Sequence, residues 1–223
     1  MKANIRLMPG ALNAMFCIAV MLSGCESPVL PEPSLAAAVR TTCPLQSSDE
    51  YYFPKGTFGA SDDNGREESG FYSRLLRASN AVSVSCDSSF KGESYRLLWA
   101  PLSIRGVPAI VELDKGPGGW SLTYSEFVTG QEAYKNPLVE KRSVRAVTDD
   151  ERQAVLAALK SAEFWIAPTW ISSDLGGGGT CLLEARRDSG FHVVSRHAPK
   201  GSLKEACRSF FVAAGSPVPA LLE

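Results

Sequence analysis

Thr180-Cys181-Leu182-Leu183-Glu184-Ala185 and Phe191-His192-Val193-Val194-Ser195-Arg196-His197, joined through Asp188-Ser189-Gly190 and followed by Ser202-Leu203-Lys204-Glu205-Ala206-Cys207, carry more architectural information than any other part of this sequence. The first two runs read as strands joined by a three-residue hairpin loop, with Gly190 at the left-handed position. That loop length predicts Cys181, Leu183, Ala185, Phe191 and Val193 on one face, and Leu182, Glu184, Arg186, His192, Val194 and Arg196 on the other. One face is apolar and the other mostly charged. Ser202 to Glu205 then reads as a capping box opening a helix to about Ala214, stopped by Gly215 and Pro217. Leu203, Ala206, Cys207, Phe210 and Ala214 recur at helical spacing. Cys181 and Cys207 therefore both point into a helix-sheet interface, which predicts a disulfide between them.

Working toward the N-terminus, Thr148-Asp149-Asp150-Glu151 is a second capping box, before a helix carrying Val155, Leu156, Leu159 and Ala162 and blocked by Pro168. Tyr95 to Ala100, Pro108 to Leu113, Trp120 to Val128 and Leu138 to Ala146 read as strands, with Lys115-Gly116-Pro117-Gly118-Gly119 as a turn. In the third of these, Trp120, Leu122 and Tyr124 alternate with Ser121, Thr123 and Ser125, the pattern of one buried face. Asn64 to Ser79 places Phe71, Tyr72, Leu75 and Leu76 at helical spacing. The order helix, strands, helix, hairpin, helix predicts an α+β domain: an antiparallel sheet with helices packed on one face.

The 223 residues carry 23 Lys+Arg against 24 Asp+Glu, a formal charge of -1, with 44% hydrophobic and 21% charged residues. This is the composition of one ordinary globular domain, and its balance gives no electrostatic footprint for nucleic acid. The first residues are different in kind. Lys2 and Arg6 precede the apolar run Ala11 to Leu22, too short to span a bilayer as a helix, which is the layout of an export signal. The run ends in Leu22-Ser23-Gly24-Cys25, which resembles the lipobox of bacterial lipoprotein precursors. That resemblance implies removal of residues 1–24 as a signal peptide, acylation of Cys25 by palmitate and similar chains, and a membrane anchor on the periplasmic side. Glu26, in place of the Asp that retains enteric lipoproteins at the inner membrane, implies the outer membrane. Loss of Lys2 and Arg6 leaves 21 basic against 24 acidic residues, so the expectation about nucleic acid is unchanged. Residues 25–42, with Pro28, Pro31 and Pro33, read as a semi-extended tether of ~40 to 50 Å at polyproline rise, leaving residues 43–223 for the α+β domain.

Cys17 leaves with the signal, and Cys43, Cys86, Cys181 and Cys207 remain beside the acylated Cys25. Four cysteines in an oxidising compartment predict two disulfides, with three connectivities open. The helix-sheet argument favours Cys181 with Cys207 and hence Cys43 with Cys86. No CxxC occurs, which argues against a thioredoxin-like site or a zinc ribbon.

Tyr72-Ser73-Arg74-Leu75-Leu76-Arg77-Ala78, Tyr95-Arg96-Leu97, Phe164-Trp165, Leu182-Leu183-Glu184 and His192-Val193-Val194-Ser195-Arg196 followed by Pro199 resemble a widespread family of uncharacterised bacterial α+β proteins, over Gly65 to Gly215. Members tend to carry Asp at the position of Gly177 and Trp at those of Cys181 and His197, so this chain departs there. A cysteine replacing a core Trp agrees with a disulfide at Cys181. The resemblance supports the fold and implies no activity, ligand or catalytic residue.

Chemistry is sparse. The two histidines, His192 and His197, fall on opposite strand faces, and no Gly-x-Ser-x-Gly elbow is present, so no Ser/His/Asp triad is expected. Glu184 and His192 with Arg186 and Arg196 form the candidate binding face, as an acid/base pair or an anion clamp; the competing reading is a solvated, cross-paired sheet face. Gly176-Gly177-Gly178-Gly179-Thr180 lacks the lysine of a phosphate loop and leads into a strand, so it reads as a connector. Asp62-Asp63-Asn64-Gly65 with Glu67 and Glu68 does not match a calcium-loop spacing. Tyr51, Tyr52, Phe53 and Phe58 read as core or lid, and Trp165 and Trp170 as caps on the core. The expectation is a non-enzymatic, membrane-anchored module without cofactor or metal that binds another protein, as toxin-neutralising immunity proteins and envelope-assembly accessories do. The alternative is a small-ligand binder or hydrolase using Glu184, His192 and Arg196.

Overall fold

A computed structural model describes residues 52–54, 57–58, 63–85, 92–102, 106–130, 135–171, 178–188 and 190–223, all within one unit. The signal, Cys25, the tether, Tyr51 and the expected Cys43–Cys86 pair lie outside the described residues, as do Asp62, Gly176 and Gly177.

The elements are α1 (Asp63–Ala78), β1 (Ser94–Pro101), β2 (Ala109–Gly116), β3 (Gly119–Phe127), β4 (Val139–Ala146), α2 (Asp149–Ser161), β5 (Gly179–Arg187), β6 (Gly190–His197) and α3 (Gly201–Ala214). The six strands form one antiparallel sheet in the order β4-β3-β2-β1-β5-β6. This is the α+β architecture expected. β1 is central, with β2 and β5 beside it, and its eight residues are buried throughout.

Alternation along β1 divides the core in two. Tyr95, Leu97 and Trp99 pack with Val155 and Leu159 of α2 and Ala206, Cys207 and Phe210 of α3. Leu98 and Ala100 pack with Tyr72, Leu75 and Leu76 of α1. Two helices thus share one face, as expected, while α1 covers the other, which corrects the single helical layer. The same double cover buries Thr123 and Ser125 on β3, whose alternation promised only one buried side. The three amphipathic helices among the described residues supply enough apolar stripe to close both sides of the sheet.

Local chemistry sets the boundaries. Thr148 caps α2 as its sequence predicts: its hydroxyl accepts from the Glu151 N–H at 3.2 Å, and the Glu151 carboxylate accepts from the Thr148 N–H at 2.9 Å. Arg145 and these contacts hold the Glu151 carboxyl down to about 2. Thr148→Ala is expected to cost about 1 kcal/mol in urea unfolding. At α3 the expected box is not the start. The helix begins at Gly201 with Lys200 as its N-cap, so Ser202 lies inside the first turn and is not the N-cap. Gly215 ends it with φ 64°, and the Ser216 N–H returns to the Phe211 carbonyl at 3.1 Å.

The β5–β6 hairpin corrects the expected register. Arg187 pairs with Gly190, so two residues, not three, lie between the strands. Gly190 has the positive φ expected of it, 144°, but opens β6 and does not lie in the loop. A change of one residue reverses which side chains meet. Cys181, Leu183 and Ala185 now share a face with His192, Val194 and Arg196; Leu182, Glu184 and Arg186 share the other with Phe191, Val193 and Ser195. Cys181 keeps its orientation and bonds Cys207, with Cα atoms 6.4 Å apart, fastening β5 to α3.

At the head of β5, a Cβ built on Gly179 would lie 2.5 Å from Trp99 Cζ2, in the middle of the core. Gly179→Ala should therefore cost roughly 1 to 3 kcal/mol through overpacking, read as a lowered urea midpoint with unchanged slope.

Candidate functional site

Of the charges that the sequence places on a solvated hairpin face, Glu184 is buried, and Arg186, His192 and Arg196 are half-buried. In the register of the sheet, Arg96 on β1 stands directly opposite Glu112 on β2 and Glu184 on β5. The three side chains form a Glu-Arg-Glu row across the central strands, with only 5%, 1% and 2% of their surface exposed. Arg96 Nε donates to Glu112 Oε1 at 2.9 Å, and its Nη2 lies 2.8 Å from the same oxygen. Nη1 donates to Glu184 Oε1. The next row holds Asp114, Ser94 and Arg186. The α1-side face is thus apolar under the helix and charged beyond it.

A segment of backbone closes over the charged half. Arg96 Nη2 donates to the Val82 carbonyl at 2.8 Å, and Arg186 Nη1 to the Val84 carbonyl at 2.8 Å. Arg142, reaching in from β4, donates to the Ser79 carbonyl at 2.6 Å. The Tyr52 hydroxyl donates to the Ala81 carbonyl, and Ser83 Oγ donates to the Tyr52 carbonyl at 2.8 Å. Residues 79–85 therefore form a strap tied down by three arginines from three strands. Val84 anchors the strap in the α1-side core with Ala81 packed beside it, while Val82 remains 48% exposed.

Burial works against the charge on Arg96, but Glu184 and Glu112 outweigh it and hold the guanidinium well above its ordinary value. Burial pushes the Glu184 carboxyl up, against the pull of Arg96, and pushes Asp114 up likewise. Glu184 Oε2 is buried with no hydrogen-bond partner among the described residues.

Of the candidate face named from the sequence, Glu184 and Arg186 lie here, whereas His192 and Arg196 point to the opposite side of the sheet. His192 Nε2 lies 3.0 Å from the Ala167 carbonyl, and its ring meets Phe164 edge-on at 5.1 Å; burial lowers its pKa, against the effect of that carbonyl. Arg196 donates to the carbonyls of Pro168 and Thr169. Together they fasten residues 164–170 alongside β6, where the Ser195 N–H also donates to the Thr169 carbonyl at 2.8 Å. The acid/base pair of Glu184 and His192, and the clamp with Arg196, are therefore not assembled. The Trp165 and Trp170 rings do pack on the core, one on each side of the sheet. Phe53 and Phe58 are core residues as well, in edge contact at 5.0 Å.

Arg96 and Glu112 escaped the sequence reading, although a signal for them exists. Arg96 is the one charge in β1, and Glu112 and Glu184 each follow directly on an apolar run, Ala109–Val111 and Cys181–Leu183, in the strands beside it. A strand buried on both faces can hold a charge only when it is paired.

Among the described residues, no three His, Cys, Asp or Glu side chains gather as a metal site, and no helix is long and apolar enough to cross a membrane. Compared with known proteins, the chain matches no protein-family model and no curated protein.

Proposed function

We propose that this chain is a bacterial lipoprotein, acylated on Cys25 and facing the periplasm, most naturally from the outer membrane, whose α+β body binds another protein without catalysing a reaction. Support for the anchor is the sequence itself, a charged n-region, a short apolar run and a cysteine after Leu22-Ser23-Gly24. One structural observation supports the binding role. β4 is an eight-residue edge strand with no strand on its outer side among the described residues, and it carries Val144 at 64% exposure, with Leu138 beside its start at 66%. An open edge of this length offers a row of backbone donors and acceptors to an incoming strand, and exposed apolar side chains add contact area. The opposite edge differs, because Trp170 bridges to Ser195 on β6. The partner is accordingly a protein that contributes a β-strand to β4, of the kind a toxin or an envelope-assembly component could supply. A tethered module also meets its partner at raised effective concentration near the membrane.

The test is photo-crosslinking in intact cells with a reactive residue at Val144, compared with one at Val212, which is exposed on α3. A discrete adduct from Val144 alone is the expected result. Equal adducts from both positions, or none from Val144, would overturn the reading.

A further inference from the structure

We infer that β4 pairs antiparallel with β4 of a second copy of this chain, about a two-fold axis through Val144, and that this self-pairing guards the edge until a partner strand displaces it. The inference rests on the reading of β4 as a strand-accepting edge and adds its regulation. Hydrogen bonding to β3 fixes which residues are free to pair. The Val147 N–H donates to the Trp120 carbonyl at 3.2 Å, one step beyond the Ser121–Ala146 pair. At the other end the Val128 N–H donates to the Leu138 carbonyl at 2.9 Å, one step beyond the Phe127–Val139 pair. Antiparallel pairs alternate between hydrogen-bonded and non-hydrogen-bonded, so Lys141, Ser143 and Arg145 bond inward to β3. Arg142, Val144 and Ala146 turn their backbone N–H and C=O groups outward.

Charge then selects the register. Facing residues of two strands in one sheet must lie on the same face, so the two-fold axis passes through a residue and sets it against its own copy. An axis at Lys141, Arg142 or Arg145 sets that cation against itself, and an axis at Ser143 sets Lys141 against Arg145 twice. Like charges directly opposite are destabilising. Arg142, tied to the neutral Ser79 carbonyl, brings its full charge to such a contact, while Glu126 and Glu151 soften those of Lys141 and Arg145 without removing them. An axis at Ala146 leaves the strands scarcely overlapping. At Val144 no cation faces another: Arg142 faces Ala146, Arg145 faces Ser143, and Val144, 64% exposed, covers its own copy. The outward groups of Arg142, Val144 and Ala146 then meet in about six backbone hydrogen bonds.

Mild oxidation of membranes carrying the intact chain tests this. Facing Cα atoms in a bonded antiparallel pair lie about 5.5 Å apart, within disulfide reach. Val144→Cys should therefore lose most of its monomer band to a dimer on a non-reducing gel, whereas Val212→Cys, exposed on α3, should not. By light scattering, Val144→Lys and Val144→Glu should each be monomeric alone and dimeric when mixed, because the axis sets position 144 against itself. No more dimer from Val144→Cys than from Val212→Cys would overturn the inference, as would a mixture no more associated than either variant alone. A photo-adduct from Val144 to another protein without the self-crosslink overturns self-pairing and keeps the proposed partner; a self-crosslink without such an adduct does the reverse.

Discussion

Arg96→Met should be among the most damaging single substitutions in the molecule, lowering the unfolding free energy by about 3 to 5 kcal/mol, the usual consequence of leaving buried carboxylates without their counter-ion. Arg96 stands between Glu112 and Glu184 at 1% exposure and also holds the Val82 carbonyl, so its loss strands two acids and frees the strap together. Methionine fills much of the same volume, which separates the charge effect from a simple cavity. The triple variant Arg96→Met, Glu112→Leu, Glu184→Leu should recover most of the loss, because a buried ion group replaced throughout by apolar residues is often neutral to stability. Urea unfolding of both variants against wild type gives the answer. A single-variant cost below about 1 kcal/mol, in the range of exposed pairs, would mean that the row is far better solvated than its geometry indicates.

The second large effect is at Cys181 and Cys207. Their bond closes a segment 26 residues apart in sequence and joins the central sheet to α3. Loop-closure entropy puts its contribution at roughly 3 to 4 kcal/mol. Reductant should lower wild-type stability by that amount, and the double variant Cys181→Ala, Cys207→Ala should match the reduced protein and no longer respond to reductant. Both sulfurs are buried, so the double variant carries a further small cost from lost packing. Unfolding curves unmoved by reductant would contradict the role given to this bond.

Most of the architecture was legible because it rests on periodicity and caps. The Tyr72, Leu75, Leu76 stripe, the Thr148–Glu151 box and the five-residue stripe of α3 each reflect a local preference that the packing kept. What failed was parity. Whether 188–190 or only 188–189 forms the hairpin loop is a small local difference, yet it decides whether Glu184 meets His192 or Val193. That choice was made by tertiary packing: Phe191 and Val193 go under α1, and His192 turns to hold Ala167. Which charges pair in the ionic row was illegible for a related reason. Arg96, Glu112 and Glu184 are 88 residues apart at the extremes, and only the β2-β1-β5 order brings them together.

Envelope attachment is the claim on which the proposed role depends, and the mass of the N-terminal peptide of the chain recovered from cell membranes tests it most directly. The account predicts a peptide that begins at Cys25 and carries diacylglyceryl and amide-linked acyl mass. A peptide that still contains residues 1–24, or an unmodified Cys25, would contradict it.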